Sequence, residues 1–290
     1  MKFIWFLWSL MGMGEFLTAV DASGQGLSVR KDEGLVSAYL NRPVVLEVIL
    51  PPGYSSSGEG LPVLYLNDGQ DLERLRMAAV LDSMFRERRV RAFVLVAIHA
   101  GDRIQEYGVA AQADYLHRGS KAGRYSEFVL HELIPYVKKH YRITDDPERS
   151  VFAGFSLGGL SAFDLVWNHP SQFRKAGAFS GSFWWRQKGL NEGYTDDDRI
   201  MHALVRKGTS WPGLRFWFQT GTLDETDDRD HDGVIDSIDD TLDLIAELER
   251  KGYRWGNDVT YAEVKGGRHD PETWSRVMPD FLTWAFGPAR

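Results

Sequence analysis

The feature that most constrains this chain is a Gly-x-Ser-x-Gly segment near its middle, Gly154-Phe155-Ser156-Leu157-Gly158. A β-branched and aromatic run precedes the segment, and apolar residues at helical spacing follow it. A serine at such a strand-to-helix turn has a strained backbone, for which the flanking glycines leave room. The pattern predicts a nucleophile elbow with Ser156 as the nucleophile. The alternative is a glycine-rich turn that only packs tightly between strand and helix.

Composition sets the outer limits on fold and partners. The 290 residues are 43% hydrophobic, enough to bury one large core in a single α/β domain. The formal charge of -7 offers no basic face for phosphates, so nucleic acid is not an expected partner. The absence of cysteine excludes disulfides, thiolate catalysis and thiolate zinc sites.

The first 25 residues have a different character from the rest of the chain. A lysine at position 2 precedes a short apolar stretch that ends near small residues, which predicts a signal peptide. An N-terminal packing arm is the alternative. We therefore expect a periplasmic or secreted protein, with the cytoplasm as the other location, and a domain over residues 27–290. No other stretch is long and apolar enough to cross a membrane.

From residue 27 onward the periodicity alternates between strand and helix. Strands are predicted at 35–40, 44–50, 61–66, 92–98, 151–155, 176–179, 215–220 and 259–264, and helices at 77–85, 125–141, 160–167, 241–250 and 272–286. We expect Pro135 to bend the second helix. This order predicts the α/β-hydrolase fold, a mostly parallel central sheet with helices on both faces.

That fold places the acid and then the base after the nucleophile, on loops that follow strands. His269 directly follows the last predicted strand and is the candidate base. His202, in a predicted helix, and His231, in an acidic loop, are expected to be exposed to solvent. Asp224 follows the strand before and is the candidate acid, with Glu225 as its competitor.

The chemistry requires two further groups beside the triad. A serine hydroxyl attacks an ester only when an imidazole takes its proton, and a carboxylate stabilises the resulting cation. Donors must also meet the oxyanion that forms, and we assign them to the backbone N–H groups of Leu157 and Gln70. Catalysis of this kind needs no cofactor.

The chain resembles the Putative esterase family of α/β-hydrolases, which includes enterochelin esterases, feruloyl and acetylxylan esterases, S-formylglutathione hydrolases and mycolyltransferases. The matching segments cover nearly everything after residue 27. They are Pro51-Pro52-Gly53-Tyr54, Leu64-Tyr65-Leu66-Asn67-Asp68-Gly69-Gln70, Glu132-Leu133-Ile134-Pro135, Gly154-Phe155-Ser156-Leu157-Gly158-Gly159, Ser180-Gly181-Ser182-Phe183-Trp184-Trp185 and Gly267-Arg268-His269. The resemblance implies the same triad, Ser156, Asp224 and His269, and the same backbone oxyanion hole.

The segment from residue 180 to 185 looks most like the enterochelin-esterase branch of that family. Its adjacent Trp184 and Trp185 suit an aromatic acyl or catechol group, although one of them could equally belong to the core. We expect siderophore esters first, then hydroxycinnamoyl or acetyl esters on polysaccharide, then small acyl esters. Acyl transfer to another acceptor, a peptidase and a catalytically silent binding protein are the alternatives. The sequence does not define the oligomeric state.

A separate motif follows the candidate acid. Residues 228–239 match an EF-hand calcium loop at Asp228, Asp230, Asp232, Gly233, Asp236 and Asp239, with Val234 as a carbonyl ligand. An aspartate at the last position is shorter than the usual bidentate glutamate. The loop therefore predicts a structural calcium ion, and the alternative is a solvated acidic surface loop.

Overall fold

The structure, a computed structural model, describes residues 26–288. In chain order the strands are β1 (Ser28–Ser37), β2 (Arg42–Leu50), β3 (Val63–Asn67), β4 (Val94–Ile98), β5 (Ser150–Phe155), β6 (Lys175–Phe179), β7 (Arg215–Leu223) and β8 (Val259–Arg268). The helices are α1 (Met77–Arg86), α2 (Arg103–Glu106), α3 (Ala122–Phe128), α4 (Ile134–His140), α5 (Leu157–Asn168), α6 (Ile200–Lys207), α7 (Asp236–Arg250) and α8 (Pro271–Phe286). The predicted signal peptide or N-terminal arm, residues 1–25, lies outside the described residues.

The strands form one sheet in the order β1-β2-β4-β3-β5-β6-β7-β8. The β1–β2 and β2–β4 pairs are antiparallel, and every later pair is parallel. Parallel neighbours need crossover connections, which the helices supply. This arrangement confirms the predicted mostly parallel α/β-hydrolase sheet.

Each face of the sheet is covered by its own set of helices. On one face the apolar sides of α3 to α7 pack together, with Phe128, Phe163 and Leu244 fully buried. On the other face α1 and α8 cover the sheet through Leu81 and Phe281. Strands buried on both faces read as continuous apolar runs, which explains the composition of β3, β4 and β5.

The helix predicted over 125–141 is interrupted, as the position of Pro135 indicated. A π-helical turn, Val129–Leu133, separates α3 from α4, and Pro135 lies at the start of α4. Proline has no N–H and its ring crowds the preceding turn, and the wider turn relieves that crowding. Within residues 26–288, no helix combines the length and apolar character needed to span a membrane.

The fold brings the carboxyl ends of four parallel strands to one edge of the sheet. Asp68 follows β3, Ser156 follows β5, Asp224 follows β7 and His269 follows β8. The candidate residues, far apart in sequence, therefore share one edge.

Candidate active site

Ser156 has the backbone of a nucleophile elbow. It lies between β5 and α5 with φ 55° and ψ -122°, a region that residues with a Cβ rarely occupy. Its N–H donates to the carbonyl of Phe179 at 2.9 Å, which fixes the turn to β6. A Cβ on Gly154 would lie 2.3 Å from the carbonyl oxygen of Gly158, so a larger residue does not fit there.

The β7–β8 ladder places the candidate acid and base side by side. Leu223 pairs with Arg268 beyond an irregularity in the register, and Asp224 and His269 are the first residues after the two strands. No hydrogen bond joins His269 to Asp224 or to Ser156 within residues 26–288. Catalytic hydrogen bonds are often long without substrate and shorten in the complex.

The carboxylate of Asp224 is held on one side only. Its Oδ2 accepts from the N–H of Gly221 at 2.9 Å, whereas Oδ1 is shielded from solvent and has no partner among the described residues. Burial raises the pKa of Asp224, and the hydrogen bond from Gly221 and the charge of His269 act in the opposite direction. The free Oδ1 is therefore available to an imidazole N–H.

Partial burial lowers the pKa of His269, and the guanidinium of Arg103 acts in the same direction. Asp224 and Asp270 oppose this shift. The imidazole packs edge-on against the indole of Trp274, with ring centroids 5.4 Å apart. A base with a pKa below its usual value is neutral, and so able to accept a proton, over a wider range of pH.

The competing acid, Glu225, faces elsewhere. Burial raises its pKa to about 7, and the charges of Asp236 and Asp227 act in the same direction. Glu225 therefore lies among acidic residues at the start of α7 instead of beside His269.

The two backbone donors assigned to the oxyanion hole lie at helix starts. Leu157 is the first residue of α5, and Gln70 lies in a single 3-10 turn, Gly69–Asp71. N–H groups in a first helical turn have no acceptor within the helix and are free for an anion. Both lie at the edge of the sheet that carries Ser156.

A buried ion pair supports this turn, and sequence reasoning did not find it. Asp68 has φ 62° and is 1% exposed, and its carboxylate accepts two hydrogen bonds from Arg103 at 2.8 and 2.9 Å. Arg103 also donates to the carbonyl of Phe155 at 3.1 Å. The side chain of Gln70 donates to Asp68 at 3.0 Å. No local pattern marks Arg103, which begins the short helix α2 after β4.

Two serines after β6 were also missed as site residues. The hydroxyl of Ser182 lies 3.3 Å from that of Ser156. The hydroxyl of Ser180 accepts from the indole N–H of Trp274 at 3.0 Å. Both serines are 2% exposed.

The adjacent tryptophans occupy different environments. Trp184 is partly exposed, and the guanidinium of Arg118 lies 4.7 Å from its ring centre. Trp185 is 0% exposed and its indole N–H donates to the carbonyl of Gln112 at 3.3 Å. The expectation that Trp185 contacts substrate is therefore wrong, because the residue belongs to the core.

The other two histidines that follow the elbow, His202 and His231, also lie in different environments. His231 is exposed, as expected. His202 is 1% exposed and bonds through Nε2 to the carbonyl of Asp240 at 2.8 Å, so its predicted exposure is wrong. Burial lowers its pKa to about 3, so the ring is neutral. It faces the interior because α6 packs on α7, a contact that no local pattern reveals.

The acidic loop brings together part of the predicted calcium ligand set. Carboxylate oxygens of Asp228, Asp230 and Asp232 lie within 4.8 Å of one another. Burial and the charges of Asp232 and Asp230 together raise the pKa of Asp239 to about 6. Asp239 is therefore near the cluster.

The other predicted ligands of that loop have their own contacts. The N–H of Val234 donates to Asp232 at 2.8 Å. Asp236 does not join the cluster, because Arg229 takes both its oxygens, at 2.9 Å from the backbone N–H and 3.2 Å from the guanidinium.

Comparisons with known proteins are consistent with this geometry. A family model described as "Putative esterase" matches residues 37–285. The iron(III) enterobactin esterases of Dickeya dadantii and Escherichia coli K12 are 33% and 28% identical over 54% and 57% of this chain. The aligned part covers only 34% and 38% of those enzymes. The uncharacterized protein YbbA of Bacillus subtilis is 24% identical over 83% of this chain and 92% of its own length.

Solved structures share the fold. The enterobactin esterase of Shigella flexneri, solved with enterobactin, has a TM-score of 0.70 at 22% identity, covering 89% of this chain and 58% of its own. A ferulic acid esterase has a TM-score of 0.65 at 20% identity, covering 90% and 98%. Because the family model spans most of the chain, the protein belongs to the Putative esterase family of α/β-hydrolases and is a carboxylic ester hydrolase.

Proposed function

We propose that the protein is a serine esterase in which Ser156 is the nucleophile, His269 the general base and Asp224 the acid. The strained backbone of Ser156 at the N-terminus of α5 supports this most directly. Such a conformation costs about 1–3 kcal/mol and is found mainly where function requires it.

The proposed reaction proceeds through an acyl-enzyme. His269 takes the hydroxyl proton of Ser156 as the oxygen attacks the ester carbonyl, and the N–H groups of Leu157 and Gln70 donate to the oxyanion. His269 then gives the proton to the leaving alcohol. Water hydrolyses the acyl-enzyme by the same steps, and the carboxylate of Asp224 stabilises the imidazolium in both halves.

For the substrate we propose esters of aromatic acids, with catecholate siderophore esters first. The enterobactin esterases among its relatives and the ferulic acid esterase among its structural neighbours support this class. The partly exposed indole of Trp184 offers a face on which an aromatic ring can stack. Feruloyl esters on polysaccharide are the second candidate, supported by a ferulic acid esterase of which this chain covers 98%.

The decisive experiment compares the wild type with Ser156→Ala on p-nitrophenyl esters, feruloyl esters and a catecholate trilactone. We expect kcat to fall by about 10³-fold or more with an unchanged melting temperature, because triad members act as a unit. Wild-type turnover in this variant would exclude the proposal.

The role of Trp184 is tested by Trp184→Ala. Loss of stacking area should raise KM for feruloyl and catecholate esters several-fold and leave KM for acetyl esters nearly unchanged. Trp255→Ala, an exposed tryptophan just before the amino end of β8, opposite the end that carries His269, is the control. Equal changes on both substrate classes would mean that Trp184 is structural.

We also propose that the acidic loop binds a calcium ion with a structural role. The regular EF-hand spacing and the convergence of Asp228, Asp230 and Asp232 support this. The loop connects the strand end that carries Asp224 to the start of α7, so an ion there would restrict the loop beside the acid.

A further inference from the structure

We propose that Ser182, in the turn Ser180-Gly181-Ser182, is a positioning residue of the reaction that orients the nucleophile Ser156. The inference rests on the triad proposed above. It adds one residue that acts on the nucleophile through its hydroxyl group.

Ser182 contacts the nucleophile twice. Its N–H donates to the carbonyl of Ser156 at 3.1 Å, and its hydroxyl lies 3.3 Å from the hydroxyl of Ser156. Ser182 is 2% exposed, and its hydroxyl has no other hydrogen-bond partner within residues 26–288. The backbone contact fixes the distance between the residues, and the hydroxyl contact then selects the side-chain rotamer of Ser156.

A selected rotamer matters because the attacking oxygen has several staggered positions. The reaction needs the position from which the oxygen faces both the base and the oxyanion donors. Misplacement of a reacting atom by about 1 Å can cost 10²-fold in rate. Ser182 therefore acts on kcat instead of on substrate binding.

The turn that carries Ser182 is anchored at its other end by Ser180. The φ of Ser180 is 46°, and its N–H donates to the carbonyl of Gln219 at 2.7 Å. Its hydroxyl oxygen accepts from the indole N–H of Trp274 at 3.0 Å. Trp274 also packs edge-on against His269, so the turn is fixed beside the base.

The experiment uses Ser182→Ala in the full chain, with Ser126→Ala as the matched control. Ser126 is also buried, and its hydroxyl has one side-chain partner, His169 Nε2, at the same distance of 3.3 Å. Three quantities are measured: kcat and KM on p-nitrophenyl butyrate, the rate of inactivation by a fluorophosphonate, and the pH profile of kcat/KM.

For Ser182→Ala we expect kcat and the fluorophosphonate rate to fall by about 10-fold, with KM and the pH profile unchanged. Ser126→Ala should match the wild type in all three.

An unchanged fluorophosphonate rate in Ser182→Ala would overturn the inference. A melting temperature far below that of Ser126→Ala would assign the hydroxyl to the fold instead of the reaction and would also overturn it. Activity in Ser156→Ala would refute the triad itself. Loss of activity in Ser156→Ala with wild-type behaviour of Ser182→Ala would refute this inference alone.

Discussion

Two carboxylates follow β7, and their surroundings give them different roles. Asp224 keeps one oxygen free and follows the strand beside His269, whereas burial and the charges of Asp236 and Asp227 raise the pKa of Glu225 to about 7.

The consequence is a prediction for Asp224→Asn. Without the carboxylate the imidazolium loses its stabilisation, and we expect kcat to fall by about 10³-fold or more. The negative charge of Asp224 raises the pKa of His269, so its removal should also move the residual acid limb to lower pH. Measurement of kcat/KM between pH 4 and 8 tests both effects.

Glu225→Gln is the matched control for that change. We expect kcat within a few-fold of the wild type, because Glu225 lies on the α7 side of the loop. A large loss in this variant, with activity retained in Asp224→Asn, would exchange the roles of the two residues.

Among the site residues, the sequence predicts those whose role depends on their local backbone geometry. Ser156 is identified by its glycines, and His269 by its place after a strand. Arg103, Ser180 and Ser182 were missed because their roles arise from contacts between distant segments, as in the Arg103–Asp68 ion pair. Trp185 was misassigned for the same reason, since the residues that enclose it come from another loop.

The acidic loop, residues 228–239, is attached to the protein interior near one end without an ion. Arg229, within the loop, pairs with Asp240 at 2.6 Å, and Arg199 of the neighbouring segment pairs with Asp240 at 2.7 Å. Asp240 is 1% exposed, so this network is part of the interior. Within residues 26–288, the carboxylates of Asp228, Asp230 and Asp232 form no ion pair with a lysine or an arginine, although Arg229 between them is paired elsewhere.

Calcium should therefore stabilise the loop without being required for folding. At calcium concentrations about 100-fold above Kd we expect the melting temperature to rise by about 5 °C, and chelator to reverse the rise. Asp232→Asn should abolish the response, and Asp227→Asn, the same charge change just outside the loop motif, should retain it.

Differential scanning fluorimetry and calorimetric titration measure these effects. The absence of binding at millimolar calcium, or an equal response in both variants, would end the calcium proposal and leave the esterase proposal intact.

The element boundaries show where the sequence pattern is informative. β3, β4 and β5 were predicted within two residues, because strands buried on both faces are continuously apolar. β1 begins at Ser28 instead of residue 35, since an edge strand with exposed side chains carries little pattern. α7 begins at Asp236 instead of residue 241, because its first turn consists of polar residues that also fit a loop.

The order of the strands divides the triad residues between two regions of the sheet. Ser156 follows β5, which has strands on both sides, whereas Asp224 and His269 follow β7 and β8 at the end of the sheet. An edge strand is paired on one side only and opens at lower free energy than a central strand. The acid and base belong to one ladder, so they move together and away from the nucleophile.

Partial denaturation should therefore inactivate the enzyme before it unfolds. In a urea titration we expect the midpoint for ester hydrolysis to precede the midpoint for loss of far-ultraviolet circular dichroism. Fluorophosphonate labelling of Ser156, which requires His269, should follow the activity curve. Coincident midpoints would show that β8 and the central strands unfold in one cooperative step. The β7–β8 end of the sheet, which completes the triad, would thus also be the part of the protein whose local unfolding inactivates the enzyme.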